Sequence, residues 1–157
     1  MIIVIFRVIL FLTRSTCSSD LQLGEVKHSF GYGGTGKISE NCKFKNYGKK
    51  FGVGDVIGCY LDLNCDPIIM KFTVNGVDQG VAFRLNRSEL GDQALFPHVL
   101  TKNQDFTINF GQLPGPMFPL LKGFTPIGQL DSPDGIKRGF SRPQSREECE
   151  VLMMIGK

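Results

Sequence analysis

The sequence predicts an all-β fold, an antiparallel β-sandwich. From Val26 to Phe110, apolar residues recur with a period of two instead of the roughly 3.6 residues of a helix. Clusters of Gly, Asn, Asp and Pro separate these short apolar runs, as turns separate strands. Many short strands with almost no helical periodicity are typical of a sandwich, in which two sheets bury their inner faces against each other.

The most apolar stretch of the chain runs from Met1 to Leu12 and is interrupted by Arg7. Its β-branched side chains favour a buried first strand. Two alternatives stay open, a signal peptide and a start that is foreign to the native protein. Because the stretch is shorter than the roughly 20 residues that span a bilayer, we expect no membrane span.

The next strand signal is the segment from Val56 to Leu63. Apolar residues at its odd-numbered positions share one face, which is predicted to lie in the core. Gly58, Tyr60 and Asp62 share the opposite face. Turn-forming residues from Asn64 to Pro67 then end the strand.

A hairpin is predicted around Asn75-Gly76. Apolar residues alternate with Lys71 and Thr73 in the strand before it. Asn-Gly is the strongest short hairpin signal, because a type I′ turn needs positive φ at both central residues. The chain is then predicted to return as a strand from Val77 to Phe83.

Two further strands are predicted from Leu95 to Leu100 and from Phe106 to Phe110, the second with clean alternation. Large aromatic side chains on the predicted strands are expected to fill the space between the two sheets. The residues predicted to be buried there are Phe72, Phe83, Phe106 and Phe110.

The composition argues against an enzyme and against a nucleic-acid-binding protein whose whole surface contacts phosphate groups. Eighteen Lys and Arg against fifteen Asp and Glu leave a net charge of +3, so a basic site must be local. Five Cys without a C-x-x-C pair suggest neither a disulfide framework nor a zinc site. With two His and no Trp, we predict a non-enzymatic chain with no catalytic residues, no metal site and no cofactor.

The segment Gly31–Lys37 satisfies the phosphate-loop pattern G-x-x-x-x-G-K. That loop also needs a helix after the lysine and a Ser or Thr hydroxyl for Mg²⁺. Ile38 stands at the hydroxyl position, and no apolar helical repeat follows. We therefore predict glycine-rich turns of a sandwich and expect no nucleotide binding.

A local excess of positive charge follows, since six lysines between Lys27 and Lys50 face only Glu40. Alternation places Lys43 and Lys45 on one face of a strand and Phe44 on the other. Such a surface can contact phosphate or an acidic peptide. Alternatively it is a solvated strand face whose lysines discourage edge-to-edge pairing.

Five motifs in the order seen here resemble the signature of the SPRY domain, and the resemblance covers roughly residues 21–121. They are Asp55-Val-Ile-Gly-Cys-Tyr-Leu-Asp62, Phe72-Thr-Val-Asn-Gly76, Gly80-Val-Ala-Phe83, Leu95-Phe-Pro97 and Asn109-Phe-Gly111. Further segments are similar to heterogeneous nuclear ribonucleoprotein U and its U-like relatives, namely residues 31–37, 47–48, 97–100 and 148–156.

The resemblance implies a sandwich that binds other proteins through loops at one end, in a nuclear RNA-associated protein. The partner proteins are of unknown identity. The residues expected to form the protein-binding loops are Tyr32, Gly33, Gly34, Lys37, Tyr47, Lys49, Lys50, Phe51, Asn64 and Asp66. The alternative function is direct RNA or DNA binding through the basic cluster of residues 37–50, with contacts from Lys43, Lys45, Lys49 and Lys50.

The resemblance also suggests how the chain is organised. Residues 1–20 are an atypical apolar segment, residues 21–122 the SPRY sandwich, and residues 123–150 a linker. We expect a short non-β C-terminal tail after the sandwich. Residues 151–157 of it resemble the first strand of a nucleotide-binding domain that follows in relatives. Two outcomes stay open for the apolar run Val151–Ile155, exposure to solvent or docking on the sandwich.

Overall fold

The computed structural model describes residues 7–12, 28–90, 95–100, 106–115, 117–129 and 149–156. Within these ranges the chain forms eleven strands, one short helix, α1 (Arg87–Leu90), and one 3₁₀ turn, Ile127–Gln129. The strands are β1 (Arg7–Leu12), β2 (Phe30–Gly33), β3 (Lys37–Glu40), β4 (Lys43–Asn46), β5 (Val56–Asp62), β6 (Ile68–Val74), β7 (Val77–Leu85), β8 (Phe96–Leu100), β9 (Phe106–Asn109), β10 (Phe124–Pro126) and β11 (Cys149–Gly156). The prediction of an all-β fold is confirmed.

The first sheet has the strand order β4-β3-β2-β1-β8, and its neighbouring strands are antiparallel. β1 lies between β2 and β8, with Arg7 opposite Gly33 on one side and Leu100 on the other. The apolar N-terminal run was interpreted as a first strand, with a signal peptide and a foreign start as alternatives. The strand is confirmed for residues 7–12. The sheet therefore includes residues that precede the expected start of the sandwich at residue 21.

The second sheet has the order β10-β11-β5-β6-β7, and β9 pairs with β11 beside β10. β11 runs parallel to β5 and to β9 and antiparallel to β10. The expectation of a non-β tail is therefore wrong for residues 149–156, which dock on the sandwich as a strand. Docking gives ladder partners to the backbone groups of β5 and of β11 alike. Residues 130–148 of the expected linker lie outside the described residues.

The hairpin between β6 and β7 has the predicted turn. Asn75 has φ of 52° and Gly76 has φ of 78°, as the type I′ turn requires. The Asn75 side chain also anchors the start of β5, because its Nδ2 donates to Asp55 Oδ1 at 2.7 Å and its Oδ1 accepts from Val56 N at 2.8 Å. The motifs around Asp55 and Asn75 are thus two halves of one hydrogen-bonded corner.

The two sheets share one hydrophobic core. Phe30, Tyr32 and Ile38 come from the first sheet, and the second sheet contributes buried residues of β5, β6 and β7. The predicted burial of Phe72 and Phe83 is confirmed. For Phe106 and Phe110 the prediction is wrong, since both are only partly buried. The reason is position, because β9 lies at the margin of the second sheet beyond β11.

The outer face of β5 is also covered. Val56 and Tyr60 are buried there against a segment that carries Phe118, Leu120, Leu121 and Phe124. The rings of Tyr60 and Phe124 meet edge to face, with 5.1 Å between their centroids. The sequence pattern placed Tyr60 on the face away from the core, and the structure buries it in this second cluster.

Candidate functional site

Two of the three predicted binding loops lie against each other. They are the turn between β2 and β3, residues 33–37, and the start of the connection from β4 to β5, residues 47–51; we call them the paired loops. Gly36 O accepts hydrogen bonds from Tyr47 N at 3.0 Å and from Gly48 N at 3.2 Å. Phe51 N donates to Gly34 O at 3.1 Å. Backbone hydrogen bonds therefore hold the two segments in one arrangement.

Gly36 is required for this approach. Its φ is +79°, which side-chain-bearing residues rarely adopt. A Cβ on Gly36 would also lie 2.6 Å from Gly48 O. The absence of a side chain at Gly36 therefore allows the two loops to lie against each other.

The paired loops are also fastened to the second sheet through β7. Lys49 N donates to Gln79 Oε1 at 2.8 Å, and Tyr47 Oη donates to Gly80 O at 2.5 Å. Tyr47 Oη in turn accepts from Phe72 N at 3.3 Å. Gln79 and Gly80 are not recognisable as site residues from the sequence, because these contacts join residues about thirty positions apart and no local pattern indicates them.

The third predicted loop, Asn64–Pro67, lies elsewhere. It joins β5 to β6 at one end of their seven-residue strands, whereas the paired loops lie near the Asn75 end. Strands of that length separate the two ends by roughly 20 Å. Asn64 and Asp66 are exposed, but they do not share a surface with the paired loops. The structure therefore brings together two of the three predicted loops and not the third.

Two of the predicted contact residues are buried. Tyr32 is fully buried, and its Oη donates to Lys49 O at 2.5 Å. Phe51 is buried beside it, with 4.9 Å between the ring centroids. Both side chains lie in the core below the paired loops, so a partner cannot contact them. The exposed side chains of the paired loops are Thr35, Lys37, Lys49 and Lys50.

The residues that match the phosphate-loop pattern form a β-hairpin. Gly31 lies in β2, and Lys37 begins strand β3 instead of a helix. This confirms the interpretation of the glycines as turn residues. Among the residues that the structure describes, no group of three or more His, Cys, Asp or Glu side chains could hold a metal ion. No helix in those residues is long and apolar enough to cross a membrane.

The lysines of the basic cluster are divided between surfaces. Lys45 lies opposite Ile38 in the β3–β4 ladder, and Ile38 is buried in the core, so Lys43 and Lys45 lie on the inner side of the first sheet. Phe44 is on the outer side, as predicted, and it lines a shallow depression there with Lys37. Lys49 and Lys50 belong to the paired loops. The cluster is therefore not one continuous stripe.

The tyrosines of the site support a prediction about alkaline pH. Burial raises the pKa of Tyr32 to about 12, and it also raises the pKa of Tyr47 and Tyr60, the other two tyrosines of the chain. The unfolded chain releases its phenol protons near pH 10. Proton release therefore favours the unfolded state as the pH rises from about 10 to about 12, and the free energy of unfolding falls across that window.

Phenolate absorption followed against pH tests this prediction. We expect the native chain to ionise well above the pH at which the urea-unfolded chain ionises. Unfolding measured near neutral pH and near pH 11 should show the loss of stability. Native tyrosines that titrate with the same midpoint as the unfolded chain would contradict the burial of Tyr32 and Tyr60 and the partial burial of Tyr47.

Comparison with known proteins agrees with this architecture. A family model of the SPRY domain matches residues 12–113. Heterogeneous nuclear ribonucleoprotein U-like protein 2 of Mus musculus is 41% identical over 135 residues, which cover 86% of this chain and 18% of the relative. The Homo sapiens protein of the same name is 40% identical over the same length. ATP-dependent RNA helicase DDX1 of Xenopus laevis is 45% identical over 121 residues, 77% of this chain and 16% of the relative.

The chain thus spans less than a fifth of the length of these relatives. The resemblance to ribonucleoprotein U-like proteins, inferred from sequence motifs, is confirmed. Because the family model covers most of the described sandwich, the chain belongs to the SPRY domain family.

Proposed function

We propose that this chain is a non-catalytic protein-interaction module of a nuclear RNA-associated protein, and that the paired loops are its contact surface. Two kinds of relative support the RNA association, since one is named a ribonucleoprotein and the other an RNA helicase. The nuclear location rests on the name of the first.

The observation that carries the proposal is the fixed geometry of the paired loops. Their backbone is held by hydrogen bonds to each other and to β7, and their buried rings pack on the core. A surface held in one conformation loses little conformational entropy when it binds, so more of the contact energy appears as affinity. Thr35, Lys37, Lys49 and Lys50 project from this rigid base.

A capture experiment with matched variants tests the contact surface. Thr35→Arg combined with Lys50→Glu changes the exposed paired loops, and Asp66→Lys changes the loop at the opposite end of β5 and β6. We expect the first variant to lose at least about tenfold in affinity for proteins that the wild-type chain captures from nuclear extract, about 1.4 kcal/mol. The Asp66→Lys variant should capture the same proteins as the wild type.

Equal capture by both variants would contradict the assignment of the paired loops. Loss of capture by Asp66→Lys alone would move the contact surface to the Asn64–Pro67 loop. Circular dichroism of each variant confirms that the sandwich is folded, which these exposed positions should not affect.

Direct nucleic-acid binding remains the second candidate, because Lys43, Lys45, Lys49 and Lys50 are all exposed. Phosphate contacts release counterions, so affinity that depends on them falls steeply with added salt. We expect weak binding of a generic single-stranded RNA at physiological salt. If the wild type binds that RNA tightly and charge reversal of the four lysines abolishes binding, the protein-interaction proposal is wrong.

A further inference from the structure

A groove of about 640 Å³ opens along one side of the sandwich. One wall is formed by β3 and β4 of the first sheet, and the other by residues 81–84 of β7 in the second sheet. β4 and β7 are the outermost strands of their sheets, so the groove is the gap where the two layers end. None of its lining residues belongs to the paired loops, which makes it a separate surface.

The floor of the groove is apolar. Ile38 and Phe83 are buried members of the shared core and lie at the base of the groove. Ala82 is half-buried beside them, and Val81 is 37% exposed. A partner side chain placed here would cover the exposed apolar surface of Val81 and Ala82, which stabilises binding.

The rim of the groove is basic. Lys43, Lys45 and Arg84 line it, against a single carboxylate, that of Glu40. Across the part of the chain that the structure describes, none of these three cations takes part in an ion pair. The rim therefore carries a net positive charge beside an apolar floor, and this combination complements an acidic segment with an apolar side chain.

The strands that border the groove are poor templates for backbone pairing. β7 shows two shifts of register against β6, around Lys71, and its Gly80 has φ of 85°. Such bulges twist an edge strand away from a new neighbour, and lysines on β4 discourage pairing there. An occupant must therefore be held by its side chains.

We propose that this groove binds an extended acidic segment of a partner protein, with an apolar side chain against Val81 and Ala82 above Ile38 and Phe83, and with carboxylates at Lys43, Lys45 and Arg84. The inference rests on the proposed function as a protein-interaction module and adds a second contact surface to it. It accounts for exposed lysines on the inner side of an edge strand, where neither forms an ion pair with a residue that the structure describes.

RNA fits the groove less well. Sequence-tolerant RNA binding uses exposed aromatic rings on which bases stack, together with a basic track. The aromatic ring that lines the groove, Phe83, is 6% exposed, and the exposed Phe44 lies on the opposite face of the sheet. Glu40 also places negative charge within the groove.

The probe is a fluorescein-labelled peptide with a central Leu flanked by three Glu on each side, titrated by anisotropy against the full chain. We expect saturable binding with a Kd below about 100 µM. Lys45→Glu combined with Arg84→Glu should weaken binding at least about tenfold. Arg87→Glu combined with Lys122→Glu makes the same change in net charge outside the groove and outside the paired loops, and it should leave the Kd within about twofold.

Two further peptides test the contribution of the carboxylates and that of the apolar side chain separately. A peptide with Gln in place of Glu should bind at least about tenfold more weakly, and so should one with Gly in place of the Leu. Equal weakening by both double variants, or no binding by the wild type, overturns the groove proposal. Tighter binding of a single-stranded oligouridylate than of the peptide, lost in the Lys45→Glu, Arg84→Glu variant, would show that the ligand is RNA.

The result is distinguishable from a failure of the proposed function. Capture of proteins through the paired loops is measured with Thr35→Arg and Lys50→Glu, which lie outside the groove. If that capture behaves as expected while the peptide does not bind, the groove proposal alone is wrong. Thermal melting of each variant confirms that the exposed substitutions leave the fold intact.

Discussion

Replacement of Phe72 with Ala is expected to lower the free energy of unfolding by about 3–5 kcal/mol. Phe72 is fully buried in β6, at the centre of the core shared by the two sheets. Its ring centroid lies 5.0 Å from that of Tyr32 and 6.2 Å from that of Tyr47. Truncation therefore removes buried apolar surface and leaves a cavity among rings that other contacts hold in place.

The loss is large relative to the total stability of a small domain, which is about 5–15 kcal/mol. Chemical denaturation monitored by circular dichroism measures it. Phe44→Ala is the matched control, because the Phe44 side chain is 51% exposed and its truncation should cost less than about 1 kcal/mol. Similar losses for both variants would show that Phe72 is not in a closed core.

Replacement of Gly58 with Ala is expected to cost about 3 kcal/mol. A Cβ at this position would meet the hydroxyl oxygen of Thr73 and lie 2.8 Å from Cε2 of Tyr60. Both neighbours are buried, and the Tyr60 ring is packed against Phe124, so neither can move away cheaply. The backbone of β5 is held as well, because β6 and β11 pair with it on either side.

Gly52→Ala is the matched control for this variant. An added Cβ at Gly52 would meet nothing within 4 Å, and its φ is not in the left-handed region. We expect Gly52→Ala to be neutral or to stabilise the fold by up to about 1 kcal/mol, since alanine reduces the freedom of the unfolded chain. A Gly58→Ala variant as stable as Gly52→Ala would mean that the outer face of β5 is open.

The candidate site was predictable only in part. The glycine-rich turn at residues 33–37 and the following lysines were recognisable, because their signals are local in the sequence. The burial of Tyr32 and Phe51 was not recognisable, because a tyrosine beside glycines and lysines is typical of an exposed loop. The partners that bury these two rings, Phe72 among them, come from distant parts of the chain.

The sequence by itself determined the features that depend on neighbouring residues. Alternation of apolar side chains defined β5 and β6, and Asn75-Gly76 defined the turn between β6 and β7, because φ preferences and side-chain period are properties of a few consecutive residues. The SPRY family followed from short motifs in a fixed order.

The tertiary structure alone decided which faces are covered and which loops meet. The segment around Phe118–Phe124 buries the second face of β5, and β11 adds a parallel strand next to it. The carbonyl oxygen of Gly80 accepts a hydrogen bond from the hydroxyl of Tyr47, which lies 33 residues away in the sequence. These contacts join segments far apart in sequence, and their formation depends on the shape and hydrogen-bonding groups that each sheet presents once it is assembled.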